Sequence, residues 1–226
     1  MREKDMASVR QLMMLATGDE KHDASAHSTL DVLWVLYNRI LRYDPHTPRS
    51  EERDRFVLSK GHGPVAFYAL LAAQGFFPPA ELKAFETWEG ILGGHPDRNQ
   101  VPGVETSTGS LGHGLPMALG MALGLRAKGS DRRVIALIGD GECNEGSIWE
   151  AILLAGNLHL SNLTCIVINN HSSSRDLGDL SVKFAAFGWD ASTINGRDHE
   201  QIFQALSHIN PDRPTAVIAA IASKGH

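Results

Sequence analysis

The order of apolar and polar stretches along the chain predicts strands and helices in alternation. Short continuous apolar runs at 56–58, 134–138, 163–168 and 215–221 are typical of strands, and an extended segment is expected at 189–194. Apolar residues at helical spacing and flanking Pro residues predict helices over 5–17, 29–41, 64–74, 79–89, 114–128, 147–158 and 198–209. This alternation is typical of an α/β fold, in which helices sandwich a parallel sheet.

One long segment has neither the helical spacing of apolar residues nor the continuous apolar runs typical of strands. Residues 90–112 are rich in Gly, Pro, Thr and Ser, and a second polar segment separates the run at 163–168 from the one at 189–194. Structureless loops as long as the first are uncommon in compact domains unless they have a function. We therefore expect 90–112 to be a functional loop.

Composition narrows the class of protein. The 226 residues, 42% of them hydrophobic, suffice for one large α/β domain or two small ones, and without a repeat or linker we expect a single domain over 1–226. A net charge of −5 argues against a broad nucleic-acid surface. No apolar run reaches the ~18 residues of a membrane span. The charged N-terminus has no secretory signal pattern, and Cys143 and Cys165 form no disulfide framework, so we expect a cytoplasmic protein.

Two polar side chains follow neighbouring strands of the predicted sheet. Asp140 comes after one buried strand and Asn170 after the next, thirty residues on. Ligands of open parallel sheets lie beyond the carboxyl ends of the strands, so these side chains should meet in one crevice. Carboxylate and amide oxygens suit Mg²⁺ or Ca²⁺. The sequence therefore predicts a divalent cation site.

The residues around Asp140 favour an anion next to that cation. Gly139 and Gly141 leave the backbone open to close approach. The helix that starts near Gly146 directs its partly positive N-terminus to the same place. A glycine pair after a strand is often only a tight turn, but with Asn170 the combination favours a diphosphate.

Several segments, in the same order, resemble those of transketolases. They are RDRFVLSKGHGPVAFYALLAAQGFF at 53–77, GGHPD at 93–97, PGVETSTGSLGHGLPMALGMALGLR at 102–126, GDGECNEGSIWEA at 139–151 together with Asn170, and FAAFGWD at 184–190. The resemblance covers most of the chain from about residue 22 onward. It implies the thiamine-diphosphate-binding fold and the small N-terminal subunit of a split transketolase.

The resemblance also implies roles for matching residues. Asp140, Asn170 and the backbone carbonyl of Ser172 would ligate the metal ion. The implied catalytic residues are His22, His62, His95 and Glu145, the last at a domain interface. The implied cofactor contacts are His62, Gly109, Ser110, Leu111, Gly139, Asp140, Gly141, Glu142 and Asn170.

Three places depart from the family pattern. Residues 23–27 replace a glycine-rich stretch after His22, and residues 171–174 replace a segment that usually contains Gly and Gln. His113 stands where the family usually has Gln. It either contacts cofactor or substrate or bonds a backbone group.

The implied activity is the transfer of a two-carbon ketol unit from a ketose, free or phosphorylated, to an aldehyde. Thiamine diphosphate would supply the reactive centre, and histidines would move protons near neutral pH. The family's pyrimidine-binding domain, which carries a required glutamate, has no counterpart in this sequence. We therefore expect a C-terminal pyrimidine-binding partner subunit, two copies of each chain in a heterotetramer, and little activity from the lone chain.

Two alternatives remain open at the level of sequence. One is another thiamine-diphosphate enzyme, a carboligase or decarboxylating enzyme that uses a 2-oxo acid donor. The other is a non-catalytic subunit that keeps the fold, although the combination of Asp140, Asn170, His62 and His95 speaks against it. A dehydrogenase is not favoured, because no Gly-x-Gly-x-x-Gly fingerprint follows a strand.

Overall fold

The computed structural model describes residues 5–16 and 23–221, without the side chains of residues 23–26. The helices are α1 (Met6–Met13), α2 (Asp23–Val35), α3 (Val65–Gln74), α4 (Gly114–Ala127), α5 (Gly146–Asn157), α6 (Leu180–Ala186) and α7 (His199–Ser207). A π-helical turn, Leu36–Ile40, continues α2, and 3₁₀ turns occupy Pro79–Ala84 and Asp140–Asn144. No helix in the described ranges combines the length and apolar character needed to cross a membrane.

Five parallel strands form the sheet. They are β1 (Arg55–Leu58), β2 (Val134–Gly139), β3 (Leu163–Asn169), β4 (Asp190–Asn195) and β5 (Thr215–Ala220), in the order β1-β2-β3-β5-β4. The pairing of Leu58 with Leu137 and of Gly139 with Ile168 brings the carboxyl ends of β1, β2 and β3 together. The structure therefore confirms the predicted parallel α/β architecture.

Helices cover both faces of the sheet, as the uninterrupted apolar runs of β2 and β3 require. Successive side chains of a strand point to opposite faces. Ile135 and Leu137 accordingly pack with α1, α2, α3 and α7, whereas Val134, Ala136 and Ile138 pack with α4, α5 and α6. The core thus consists of two apolar layers, one on each side of the sheet.

The predicted helix over 79–89 is wrong beyond Ala84. Only the 3₁₀ turn Pro79–Ala84 forms, because Glu86 adopts a left-handed φ of 56° and its N–H binds the carbonyl of Leu92. Gly90 then packs so closely on Ala84 that a Cβ at Gly90 would lie 2.1 Å from the Ala84 carbonyl oxygen. The chain turns back on itself here.

The polar segment before β4 is not entirely a loop, since it contains α6. Asp179 caps this helix by accepting hydrogen bonds from the N–H groups of Ser181 and Val182, at 2.8 and 3.3 Å. Leu180 and Phe184, four residues apart, are buried on one side of it. Residues 90–112, by contrast, form neither helix nor strand, as predicted.

Candidate functional site

A polar turn follows each of the three neighbouring strands β1, β2 and β3. Residues 59–63 follow β1, residues 140–144 follow β2, and residues 170–173 follow β3. As predicted, Asp140 and Asn170 come after adjacent strands, whose residues pair in parallel up to Gly139 and Ile168. All three turns therefore lie at one edge of the sheet.

The Asp140 carboxylate, 1% exposed, holds the turn after β3 in place. Its Oδ2 accepts a hydrogen bond from the Ser172 N–H at 2.8 Å. Its Oδ1 accepts one from the Ser172 hydroxyl and one from the Gly141 N–H, the latter at 2.8 Å. A carboxylate has roughly four lone-pair positions. One position, on Oδ2, therefore remains for a further partner.

The side-chain oxygen of Asn170 has an unused acceptor at the same edge. Asn170 Oδ1 is buried, and no described residue donates a hydrogen bond to it. Such a buried acceptor costs about 1–3 kcal/mol unless it finds a partner. A hard cation would satisfy it, because amide and carboxylate oxygens are ligands of Mg²⁺ and Ca²⁺. The donor set of Asp140 and Asn170 therefore fits a divalent cation.

No group of three or more His, Cys, Asp or Glu side chains that could hold a metal occurs in the described part of the chain. A cation at Asp140 would therefore have at most two such side chains from the described residues, and otherwise amide, backbone or non-protein oxygens. The backbone φ of His171 is 58°, in the left-handed region. This turn brings Ser172, the third predicted metal ligand, against Asp140.

Glu142 ties the polar turns to each other. Its Oε1 accepts hydrogen bonds from the Ser59 hydroxyl at 2.7 Å and the Gly112 N–H at 3.2 Å, and its Oε2 accepts one from the Gly139 N–H at 3.1 Å. Burial raises the pKa of Glu142, and these hydrogen bonds oppose the rise. The Glu142 carboxylate thus positions the loop around Gly112, and the predicted cofactor contact of Glu142 stays a prediction.

His62 and His95 come together from distant parts of the sequence. Their rings lie edge to face with centroids 4.8 Å apart. The hydroxyl of Tyr68 donates a hydrogen bond to the Gly93 carbonyl at 2.9 Å and so anchors the loop that carries His95. Gly109 lies against the His95 ring, where an added Cβ would be 2.7 Å from Cδ2. The two predicted histidines therefore form one cluster.

The loop over 106–112 is packed onto the end of β1. The Thr108 hydroxyl donates a hydrogen bond to the Leu58 carbonyl at 2.8 Å. A Cβ at Gly61 would lie 2.9 Å from the backbone nitrogen of Gly109. Ser110 and Leu111, the next two predicted cofactor contacts, are exposed at the tip of this loop. The Gly141 backbone is also accessible, since a Cβ there would meet only the Ser172 hydroxyl oxygen, at 3.9 Å.

Lys60 is a residue of the site that the sequence analysis missed. It is 8% exposed and packs on Gly139, whose added Cβ would lie 3.3 Å from Lys60 Cδ. Burial lowers the pKa of Lys60 to about 8, and the charges of Asp140 and Glu142 oppose this shift. The sequence signal that could have identified Lys60 is its position between two motif residues, Ser59 and His62.

The remaining predicted residues lie as follows. Glu145 is exposed just before α5, next to Gly112, where an added Cβ would come within 2.7 Å of Glu145 Cβ. His113 is exposed, and its Nδ1 lies 3.1 Å from the Leu111 carbonyl oxygen. This contact agrees with the alternative in which His113 bonds a backbone group. His22 lies outside the described residues.

The chain matches a family model described as the transketolase, thiamine diphosphate binding domain, over residues 2–223. The chain belongs to the transketolase family. This match confirms the resemblance found in the sequence. Among curated relatives, a subunit of the apulose-4-phosphate transketolase of Actinobacillus succinogenes is 35% identical over 235 residues, which cover 99% of this chain and 84% of that protein.

A solved structure supports the same assignment. A transketolase mutant from Pichia stipitis superposes with a TM-score of 0.84 at 26% identity, covering 95% of this chain and 35% of that one. The chain thus spans about a third of the length of that transketolase. The agreement confirms the predicted fold class.

One relative has a name from another class of protein. Ferredoxin fas2 of Rhodococcoides fascians is 50% identical over 206 residues, which cover 90% of this chain and 68% of that protein. Ferredoxin clusters are held by four cysteine thiolates. This transketolase-family chain has only Cys143 and Cys165, both buried and free. It therefore lacks the cysteine ligands for a cluster of that kind.

Proposed function

We propose that this chain, as one thiamine-diphosphate-binding domain over 1–226, is the N-terminal subunit of a two-chain transketolase. The observation that carries the proposal is the pair of polar ends after β2 and β3, where Asp140 keeps an open acceptor position and Asn170 Oδ1 is buried without a donor among the described residues. Within this family, that pair fits a cation-bridged diphosphate. The reaction is transfer of a two-carbon ketol unit from a ketose to an aldehyde.

Asp140, Asn170 and the backbone carbonyl of Ser172 hold Mg²⁺, or Ca²⁺, in this proposal. Gly141 leaves room for the diphosphate next to Gly139, and Gly109, Ser110 and Leu111 contact the rings from the loop side. When bound, thiamine diphosphate supplies the reactive carbon and the electron sink for the transfer. The buried Lys60 adds a cation next to Gly139.

His62 and His95 handle protons at the substrate oxygens. An imidazole both gives and accepts protons near neutral pH, where alkoxides form and collapse in this chemistry. Their rings, 4.8 Å apart, present two such groups to one small volume. Tyr68 and Gly109 hold the His95 loop, so that the two rings keep their relative position. His22 would add a third imidazole.

A second chain completes the site in this proposal. The relative from Actinobacillus succinogenes is itself named as one subunit of a transketolase, which supports a partner. In this proposal the exposed Glu145 contacts that partner. We expect a C-terminal pyrimidine-binding subunit, in a heterotetramer located in the cytoplasm. The name of that relative includes a phosphorylated ketose, apulose 4-phosphate, which favours a sugar phosphate substrate over a 2-oxo acid.

The test combines this chain with a candidate C-terminal transketolase subunit. Two-carbon transfer from a panel of ketose phosphates to aldehydes should require both chains, thiamine diphosphate and Mg²⁺. Asp140→Ala should abolish the transfer, while Lys183→Met, at an exposed position on α6, should not. Full turnover by the lone chain, or preferential use of pyruvate, would contradict the proposal.

A further inference from the structure

A second cavity opens at the opposite end of β1 from the candidate site. It encloses about 570 Å³ and is lined by Arg49, Arg53, Arg55, Arg98 and Glu105. Arg55 begins β1, whereas residues 59–63 follow its other end. The residues of this arginine cavity are none of those predicted for catalysis or cofactor binding.

The arginine cavity has more positive than negative charge. Glu105 is its buried acid, and it pairs with Arg53 and, at 3.6 Å, with Arg55. The other acid in the wall, Glu51, is exposed and lies 3.6 Å from Lys128. Four guanidinium groups therefore share two carboxylates, in a chain whose net charge is −5.

Several guanidinium donors in the cavity lack an acceptor. Arg53 Nε is buried, and no hydrogen-bond acceptor for it occurs among the described residues. Arg49 and Arg98 are exposed at the mouth, and neither guanidinium has a hydrogen-bond or ion-pair partner in the described part of the chain. Burial, together with the nearby charge of Arg53, lowers the pKa of Arg55. An anion would relieve this repulsion.

We propose that the arginine cavity binds a small molecule that carries a phosphate group. Guanidinium groups bind phosphate oxygens through paired, charge-assisted hydrogen bonds. A volume of about 570 Å³ lies within the roughly 300–1,000 Å³ of small-molecule sites, so the cavity has space for an organic portion next to the phosphate. The site goes beyond the proposed function and does not depend on it.

The cavity shares a loop with the candidate active site. Residues 98–105 of this loop line the cavity, while His95 and Gly109, on either side, lie in the histidine cluster. The Arg98 N–H donates a hydrogen bond to the Ser107 hydroxyl at 3.0 Å, which links the two parts of the loop. A phosphate held by Arg98 would therefore be bound by the loop that positions His95.

The test titrates the full chain with glycerol 3-phosphate, inorganic phosphate and glycerol by calorimetry. Glycerol 3-phosphate is neither a ketose nor an aldehyde, so its binding does not report on the proposed transfer. We expect it to bind and glycerol not to bind. The double variant Arg49→Gln, Arg98→Gln should weaken binding by roughly tenfold or more. Both side chains are exposed, and circular dichroism will check that the variant is folded.

Two control variants separate the cavity from the active site. Asp140→Ala and Arg126→Gln, the latter at an exposed position on α4, should bind glycerol 3-phosphate like the parent chain. Equal binding of inorganic phosphate would support the site and identify the free ion as its ligand. Absence of binding by both phosphates, unchanged binding in the double variant, or a loss in Asp140→Ala would overturn the proposal.

Discussion

Asp140 combines two tasks in one side chain. It holds the turn at Ser172, and in our proposal its remaining acceptor position binds a cation. Asp140→Ala should therefore weaken binding of thiamine diphosphate with Mg²⁺ by more than the ~10–100-fold typical of losing an outer-shell partner. Calorimetry with both ligands measures this, and unchanged affinity would overturn the metal assignment.

Ser172→Ala is the matched control for that experiment. It removes the hydroxyl that donates to Asp140 Oδ1 but keeps the N–H bond at 2.8 Å and the backbone carbonyl. Affinity should stay about the same, because the hydroxyl donates to Oδ1 whereas the open acceptor position is on Oδ2. A loss as large as that in Asp140→Ala would mean that the hydroxyl itself is a ligand.

The burial of Lys60 should appear in the pH dependence of stability. Its pKa is about 8 in the folded chain and higher when the chain is unfolded, so the unfolded state binds more protons between these values. The contribution of Lys60 to stability should rise with pH in this window, by about 2 kcal/mol from pH 7.5 to 9.5, whereas the raised pKa values of the buried Cys143 and Cys165 thiols act in the opposite direction. Urea denaturation at the two pH values measures the free energy of unfolding.

Lys60→Met should remove that alkaline gain, while Lys183→Met, at an exposed position, should keep it. Glu142 makes the free energy of unfolding depend on pH in the opposite direction, at acid pH. Its pKa is raised, so the folded state holds its proton longer and stability falls as pH rises through that lower range. The same pH dependence above pH 8 in the parent chain and in Lys60→Met would contradict the burial of a charged Lys60.

Sequence reasoning predicted the candidate-site residues that motifs mark and did not predict Lys60, which depends on a tertiary contact. Asp140, Asn170, His62 and His95 each stand in a recognisable segment at the end of a strand or in the glycine-rich loop. Lys60 matters only because the backbone at Gly139 lies against its side chain. The place of Lys60 between Ser59 and His62 marks it as a motif neighbour, but no local pattern predicts its contact with Gly139.

At the level of elements, the loop over 106–112 depends on close contact between its glycines and the histidine cluster. Gly109 has a φ of 143°, and a Cβ there would lie 2.7 Å from His95 Cδ2. Gly109→Ala should displace His95 and lower two-carbon transfer by the complex by roughly 100-fold, the scale expected for a 1 Å misplacement. Steady-state kinetics with the partner subunit measures the loss.

Gly129→Ala is the control for backbone strain alone. Gly129 also has a positive φ, 64°, but nothing lies within 4 Å of an added Cβ. Both variants should lose stability, because left-handed backbone costs an L-residue about 1–2 kcal/mol. Only Gly109→Ala should lose turnover at a temperature where both remain folded. Equal turnover in the two variants would show that His95 does not depend on this contact.

The elements that the sequence predicted well are those whose pattern is set by burial. β2 and β3 are buried on both faces almost throughout, so their apolar runs are unbroken. The error at 79–89 has a tertiary cause, since the left-handed Glu86 and the approach of Gly90 to Ala84 end the turn. The helix α6 has a sequence signal in its N-cap residue, Asp179. It was not predicted because it lies in a polar segment and has only a short apolar side.

At the level of the whole molecule, one helical layer has features that suit a partner chain. Gly120 and Gly124 lie exposed on α4, with nothing within 4 Å of an added Cβ. Leu153 and Leu154 on the adjacent α5 are 46% and 45% exposed. In our proposal, this layer packs against the pyrimidine-binding subunit.

Gly120→Ala tests that packing because it has opposite effects on the lone chain and on the complex. At an exposed helix position, alanine makes the helix more stable than glycine does, by about 0.5–1 kcal/mol. The lone chain should therefore become more resistant to urea. A partner helix packed against Gly120 has no space for the added methyl group, so the complex should assemble more weakly and turn over more slowly. Gln204→Ala, exposed on α7 in the other layer, should leave assembly unchanged. A Gly120→Ala chain that is stabilised and still assembles with full activity would place the partner on a different surface.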